Sequence, residues 1–153
     1  MRIIGFILFL CFSLTIYAET QDEIKNFIDK VNQSWKDKQY ENIYILAKER
    51  LDNNSNDLLG LGVLSYYYLY GEPNCNLAKE YMKKFMEVVK SYNNKEITDF
   101  AYESMAKRIF NLPKEYDAYA KDQKEHFHEI MPEEFPYLSV IHSIAIQLQL
   151  KEE

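Results

Sequence analysis

The apolar residues of this chain recur at intervals of three and four positions, the spacing that places side chains on one face of a helix. Strict alternation of apolar and polar residues, which would indicate strands, is seen only near the carboxyl terminus. Glycine and proline number four each in 153 residues, so few positions interrupt a helix. The pattern predicts an all-α protein of about seven helices.

The first two predicted helices have clear polar boundaries and one apolar stripe each. Thr20, followed three positions later by Glu23, matches a capping box, which marks a helix start. The polar run 52–57 ends the second helix and supplies capping side chains for a third. The first stripe consists of Ile24, Phe27, Ile28, Val31 and Trp35, and the second of Tyr40, Ile43, Tyr44, Ala47 and Leu51. We expect both helices to bury one face.

The third predicted helix, 58–70, differs from the others because nearly every residue in it is apolar or aromatic. A helix that is apolar all round is covered on most sides, so we expect this one at the centre of the fold. Gly71 and Pro73 end it. The fourth helix, 77–90, has one apolar face and turns its lysines to water.

Three more helices are predicted in the carboxyl-terminal half. One runs from about 97 to 110 and cannot continue through Pro113. The next covers 116–130, and the last covers 135–150. Because the end of the last segment also alternates, a strand over 144–150 is an alternative.

Residues 1–18 have the layout of a secretory signal peptide. Arg2 precedes an apolar run without acids, and that run is shorter than the roughly 20 residues that cross a bilayer as a helix. Ala18 fits a cleavage site, so we predict a single domain over residues 19–153, periplasmic or secreted, with no stable membrane anchor. An uncleaved anchor and a lipid-modified Cys11 are the alternatives.

The charge of the domain limits the kinds of partner. Removing residues 1–18, which hold one base and no acid, changes the net charge from −6 to −7. Nucleic acids and anionic membrane surfaces are therefore disfavoured, because binding to them starts from a basic footprint. A basic protein is the partner that this charge would attract.

Cys75 is the only cysteine outside residues 1–18, so the domain cannot form an internal disulfide. We favour a small, partly buried apolar role for it over an intermolecular bridge.

An internal repeat is visible when the sequence is shifted on itself by 34 to 35 positions. The shift places Phe27 over Leu61 and Ile43 over Ala78, so the apolar stripes of the first two helices overlie those of the next two. A period of about 34 residues is typical of stacked helix pairs, in which no pair can bury its apolar face alone.

The best-matching stretch is 57–90. Within it Leu64, Tyr68 and Gly71 fall at the leucine, tyrosine and glycine spacing of Sel1-like repeats, and this stretch resembles one tetratricopeptide-like or Sel1-like unit. Ser65 stands at the usual glycine position, which departs from the pattern. The resemblance implies antiparallel helix pairs stacked as a short tetratricopeptide-like solenoid, with a less closely matching first unit at 24–55 and a third unit at 97–132.

In that class of fold the first helix of each pair lines a concave groove that holds peptides. By that register the resemblance implies that seven side chains contact a partner. They are Asn32, Trp35, Lys36, Leu59, Tyr66, Leu69 and Tyr70. Because Tyr66, Tyr67 and Tyr68 are consecutive and helical neighbours lie about 100° apart, we also expect at least one of them to reach solvent or a partner.

Motifs that carry chemistry are missing from the sequence. There is no glycine-rich phosphate loop, no nucleophile elbow and no His-Glu-x-x-His spacing. His126 and Glu129 share a helix face but His128 points away, so we predict solvated surface rather than a metal site, and no cofactor.

The sequence therefore predicts an exported, non-catalytic module that binds a protein or peptide, with an envelope immunity or adaptor protein as narrower versions. One alternative is a helical envelope hydrolase that uses acids in 114–134. Another is a domain that encloses a small apolar ligand near 58–70.

Overall fold

Helices account for about four-fifths of the described chain. The computed structural model describes residues 19–124 and 137–150, and no strand occurs among them. The elements are α1 (Gln21–Lys36), α2 (Tyr40–Asn53), α3 (Leu58–Tyr70), α4 (Cys75–Ser91), α5 (Lys95–Ala101), a π-helical turn (Tyr102–Ala106), α6 (Lys107–Phe110), α7 (Tyr116–Asp122) and α8 (Tyr137–Gln149). The all-α prediction is confirmed, and residues 144–149 are helical rather than extended.

Polar side chains begin the helices as the sequence predicts. The Thr20 hydroxyl accepts a hydrogen bond from the Glu23 N–H at 3.2 Å, and the Thr20 N–H donates to the Glu23 carboxylate at 2.8 Å. This reciprocal pair satisfies two helix-end donors and confirms the capping box. The Asp57 carboxylate likewise accepts from the Gly60 N–H at 2.7 Å and starts α3.

Helix α3 lies at the centre of the fold, as its composition predicts. Helices α2 and α4 pack along one side of it, and α8 packs along another. Twelve of its thirteen residues are buried, the half-buried Tyr68 being the exception. Buried apolar residues of all the longer helices join α3 in one core. The central helix is thus covered by elements that come before it and after it in the chain.

Helix α8 packs against α1, α3, α5 and the π-helical turn, and makes no contact of similar extent with α2 or α4. Helix α2 packs against α1 and α3, and α4 packs against α3, α5, α6 and the π-helical turn. This arrangement decides which surfaces are open to a partner.

The segment 95–110 is helical throughout but is not a regular α-helix. The Lys107 N–H donates to the Tyr102 carbonyl five positions back, which is the hydrogen bond of a π-helix. The extra residue buries Met105 and Ala106 next to each other before Ile109 turns inward. The sequence predicted one uninterrupted helix here.

The predicted third unit, 97–132, lies only partly within the described residues, and its second helix is represented by α7 alone. Among the described residues it packs against α3 and makes no comparable contact with α5 or α6. The Tyr116 hydroxyl donates to the Leu69 carbonyl at 2.9 Å, and the Asp117 carboxylate accepts from the Cys75 N–H at 2.6 Å. The rest of the predicted sixth helix, from 125 onward, lies outside the described residues.

An ion-pair network ties the start of the described chain to the core. Arg50 donates to both oxygens of Glu19 at 2.6 and 2.5 Å and to both oxygens of Asp57 at 2.8 Å. Its guanidinium also lies 4.7 Å from the centroid of the Phe27 ring. This network could not be predicted from the sequence, because nothing there distinguishes Arg50 from a solvent-exposed basic residue of α2. The predicted signal peptide, residues 1–18, lies outside the described residues.

None of the helices in the described ranges is both long and apolar enough to cross a membrane.

Candidate functional site

Three of the predicted partner-binding aromatics lie together on the side of α3 that faces α8. The ring centroids of Trp35 and Tyr66 are 5.2 Å apart, and those of Tyr66 and Tyr70 are 5.5 Å apart. The series ends at Tyr137, the first residue of α8, whose ring lies 6.3 Å from that of Tyr70. Tyr66 and Tyr70 therefore lie on one side of α3, between Trp35 of α1 and Tyr137 of α8.

That side is not an open groove, which corrects the sequence prediction. Trp35 is 1% exposed, Tyr66 is 4% exposed and Tyr70 is 5% exposed, because α8 and its neighbours cover them. Leu59 and Leu69 are buried as well. Of the seven predicted residues, the two with substantial exposure are Asn32, which is half-buried, and Lys36. Nothing in the sequence indicates that a distant helix of the same chain would lie here.

The contact between α3 and α8 is close because α3 has no side chain at Gly62. A Cβ atom there would lie 2.9 Å from Cγ1 of Ile141 and 3.0 Å from its Cγ2 and Cδ1. Ile141 is itself 1% exposed. Together with the Tyr70–Tyr137 contact, this shows that α8 runs in the direction opposite to α3.

The neighbouring tyrosines face the other way. The Tyr67 ring lies 5.7 Å from Tyr44 of α2, and the Tyr68 ring stacks at 5.8 Å on Tyr81 of α4. The Tyr67 hydroxyl donates to Glu72 at 2.8 Å. Of the three consecutive tyrosines Tyr68 alone is half-buried, so the expectation that one of them reaches solvent is confirmed in part.

A cavity of about 140 Å³ lies where the end of α3 meets α6, α7 and the start of α8. Its lining combines four tyrosines, three aliphatic residues and one arginine. These are Leu69, Tyr70, Arg108, Ile109, Leu112, Tyr116, Tyr119 and Tyr137. Arg108 and Tyr119 are also exposed to solvent, so the cavity opens beside them. No acidic residue belongs to this lining among the described residues.

The polar groups of the cavity are neutral phenols beside one cation. Burial raises the pKa of Tyr70, of Tyr116 and of Tyr137 above the ordinary tyrosine value, and the Arg108 charge opposes that rise at all three. The phenols therefore remain protonated at neutral pH and can donate hydrogen bonds.

The acids invoked by the hydrolase alternative fall partly outside the described residues. Of those described, Glu115 and Asp122 are exposed, and Asp117 holds the amide at the start of α4. His126, His128 and Glu129 lie outside the described residues. Across residues 19–124 and 137–150, no group of three metal-ligating side chains occurs.

Comparison with protein-family models, with curated proteins and with solved structures gives no match to this chain. The resemblance to tetratricopeptide-like repeats therefore rests on its own residues alone.

Proposed function

We propose that this chain is an exported, non-catalytic module that binds a helical segment of a partner protein on the face formed by α1, α3 and α5. The observation that supports this proposal is the position of α8, which lies along all three of these helices. A face that accepts one amphipathic helix has the shape and the apolar character to accept another.

The contact pattern also supports a short solenoid of stacked helix pairs. Each of the helices α1, α2, α3 and α4 packs against the helix that follows it in the chain. We propose α1–α2 and α3–α4 as tetratricopeptide-like pairs and α5 as the first helix of a further one. In this arrangement α1, α3 and α5 line the concave face, and α8 is its resident occupant.

Helix α8 has the composition of an occupant held by apolar contact. Its thirteen residues include no Asp, Glu, Lys or Arg. Its buried residues are Tyr137, Leu138, Ile141, Ile144 and Ala145. A partner helix must repeat this apolar stripe and must compete with a helix that is tethered at high effective concentration. Binding by a partner therefore involves release of α8.

The proposed partner carries a basic surface around its helix. The predicted charge of −7 for residues 19–153 would speed the encounter with such a protein and would make it depend on salt. An envelope immunity or adaptor protein would use an acidic, exported helical domain in this way.

The test destabilises the packing of α8 while leaving the residues of α1, α3 and α5 unchanged. Ile141→Asp in the full-length protein places a carboxylate against Gly62, at a cost of several kcal/mol. A labelled peptide with the sequence of residues 137–150 and a lysine tail should then bind this variant with a Kd below about 100 µM. The wild-type protein, whose face is occupied, should not bind it. Fluorescence anisotropy measures both.

A matched control places the same charge on the outside of α8. Ser139 is exposed, so Ser139→Asp leaves α8 in place and should behave as wild type. A peptide carrying Ile141→Asp should bind neither protein. Ile141→Ala replaces the aspartate variant if circular dichroism shows that the latter loses helicity beyond α8. A helical variant that binds no peptide would refute the helix-binding face.

Capture from an envelope extract then tests for the natural partner. At low salt, immobilised Ile141→Asp should retain a basic protein more strongly than immobilised Ser139→Asp does, and salt should release it. Equal recovery by the two variants would place the partner on another surface, and no recovery would contradict the proposal.

A further inference from the structure

We infer that the face formed by α1, α3 and α5 selects its partner helix by two residues: an isoleucine or valine and, four positions later, a residue with a small side chain. The inference rests on the proposed function and names the class of helix that the same face would take. Two observations support it. Ile141 packs against Gly62, and Ala145, four positions after Ile141, is fully buried.

Gly62 makes room for the first of these residues. The Cγ1, Cγ2 and Cδ1 atoms of Ile141 lie 2.9 to 3.0 Å from the position that a Cβ of Gly62 would take. Both γ carbons of the branched side chain therefore lie in space that any other residue of α3 would fill. Alanine has no γ carbon, and leucine branches one atom further out, so neither can make this contact. Ile141 is 1% exposed, so the residue must also be apolar.

Ala145 limits the size of the second residue. Its side chain is 0% exposed and belongs to the same core as Ile141. Because residues four apart are neighbours on a helix surface, the two side chains lie on one face of α8. A larger side chain at a fully buried alanine must displace its neighbours or adopt a strained rotamer. A partner helix therefore needs alanine or glycine at this position.

The same pair of residues recurs where other helices of this chain pack. Isoleucine is followed by alanine four positions later in α2 and in α5 as well, and all four residues are buried: Ile43 with Ala47, and Ile97 with Ala101. The Ala47 carbonyl oxygen lies 3.0 Å from the position that a Cβ of Gly60 would take, so α2 also approaches a glycine of α3 closely. Helices pack through rows of residues four apart. The spacing is therefore one that this fold uses repeatedly.

The charge of the partner must lie beside its apolar stripe and not on it. Neither α3 nor α8 contains Asp, Glu, Lys or Arg. The charged side chains of α1 and α5 are all exposed, so they provide no buried counter-charge to a docked helix. A basic residue on the stripe would lose its water without gaining an ion pair. The selected helix is thus uncharged on the side that docks.

Peptide variants test this selection on full-length Ile141→Asp protein. The reference is the labelled peptide of residues 137–150 with its lysine tail, and unlabelled variants displace it in fluorescence anisotropy. Ile141→Ala in the peptide should weaken binding at least about tenfold. Ala145→Leu should weaken it at least about tenfold as well, although leucine is the more apolar residue.

Two control peptides separate the pair from general apolar character. Ser139→Leu adds a leucine on the exposed side of α8 and should change the Kd less than about threefold. A peptide with the reversed sequence keeps the composition but has no isoleucine or valine followed four positions later by a small residue. It should bind at least about tenfold more weakly than the reference.

A substitution in the protein tests whether Gly62 selects the branched residue. Gly62→Ala, added to Ile141→Asp, places a methyl group where the γ carbons of the peptide isoleucine would lie. It should reduce the preference for the reference over the Ile141→Ala peptide at least about fivefold. Gly60→Ala adds the same methyl group on the side of α2 and should leave this preference unchanged. A ratio of two Kd values is independent of the folded fraction, which affects both peptides equally.

The outcomes distinguish this inference from the proposed function. No binding by the reference peptide would overturn both. Binding by the reference peptide with equal affinity for the Ile141→Ala, Ala145→Leu and reversed peptides would support the helix-binding face and overturn the selection. An unchanged preference in the Gly62→Ala protein would also overturn it. Ile141→Ala replaces Ile141→Asp as the background if circular dichroism shows that a double variant loses helicity beyond α8.

Discussion

The two sides of α3 are packed in different ways. The side that meets α2 and α4 is covered by helices that adjoin α3 in the sequence, and its close contact is at Gly60, where a Cβ would lie 2.8 Å from Cγ of Leu51. The other side is covered by α8, from the far end of the chain, with its close contact at Gly62. One helix thus combines a local packing surface with a long-range one.

The polar chemistry of the two sides differs as well. On the local side the buried Ser65 hydroxyl donates to the Ala78 carbonyl at 2.9 Å, and Tyr67 donates to Glu72, which fixes the geometry of these neighbours. Helix α8 brings no charged side chain to α3, and its docking depends on apolar contact. Because apolar contact is less directional than a hydrogen bond, the α8 side is the one suited to exchange partners.

The largest expected effect comes from truncating the core on the local side. Phe85 of α4 is fully buried, and Phe85→Ala should lower the free energy of unfolding by about 4 kcal/mol. Ile141→Ala on the α8 side should cost about 3 kcal/mol by the same argument. Urea denaturation followed by circular dichroism measures the loss in each variant.

Hydrogen exchange then shows which helices each substitution destabilises. Phe85→Ala should speed exchange in all the longer helices, whereas Ile141→Ala should speed it first in α8. If Ile141→Ala accelerated α4 as much as α8, the two sides would be one cooperative unit and the comparison would fail.

A second effect should appear at alkaline pH and should report on the α8 side. Burial raises the pKa of Tyr66 and of Tyr70 far above the ordinary value of 10.0. Above pH 10 the unfolded chain loses these protons while the folded chain keeps them, so stability falls as pH rises. The two groups together should cost about 2.7 kcal/mol between pH 9 and pH 11.

Urea denaturation at the two pH values measures this fall. Tyr66→Phe removes one ionising group and should make the fall smaller by about 1.4 kcal/mol. An unchanged pH dependence in Tyr66→Phe would show that this phenol ionises as easily in the folded protein as in the unfolded chain.

The comparison also explains which features could be predicted from the sequence. Thr20 and Asp57 act on amides three residues away, so the helix starts could be found from local spacing. The central place of α3 follows from its composition. The helix that covers its other side could not be predicted. The apolar stripe of α8 indicates that α8 is packed against the protein, but it does not indicate which helices α8 contacts. The cavity was equally hidden, since its lining comes from four separate elements.

The third effect is the smallest and separates the two glycines of α3. Gly62→Ala gains about 1 kcal/mol of helix propensity but drives a methyl group into the stiff, branched side chain of Ile141. We expect a net loss of about 1 kcal/mol, seen as faster exchange in α8. In an Ile141→Ala background the three clashing atoms are gone, so the same change should be neutral or stabilising.

Gly60 is the control for the double-mutant experiment on Gly62 and Ile141. A Cβ there would meet not only Leu51 but also the carbonyl oxygen of Ala47 at 3.0 Å, which is backbone and cannot be removed by substitution. Gly60→Ala should therefore remain destabilising even in a Leu51→Ala background. Urea denaturation of the four variants and the two double variants measures both couplings. Rescue at Gly62 without rescue at Gly60 is the expected result, because the three close atoms at Gly62 all belong to the Ile141 side chain. Rescue at both positions would mean that the local side is equally adaptable and that α8 has no special freedom to leave.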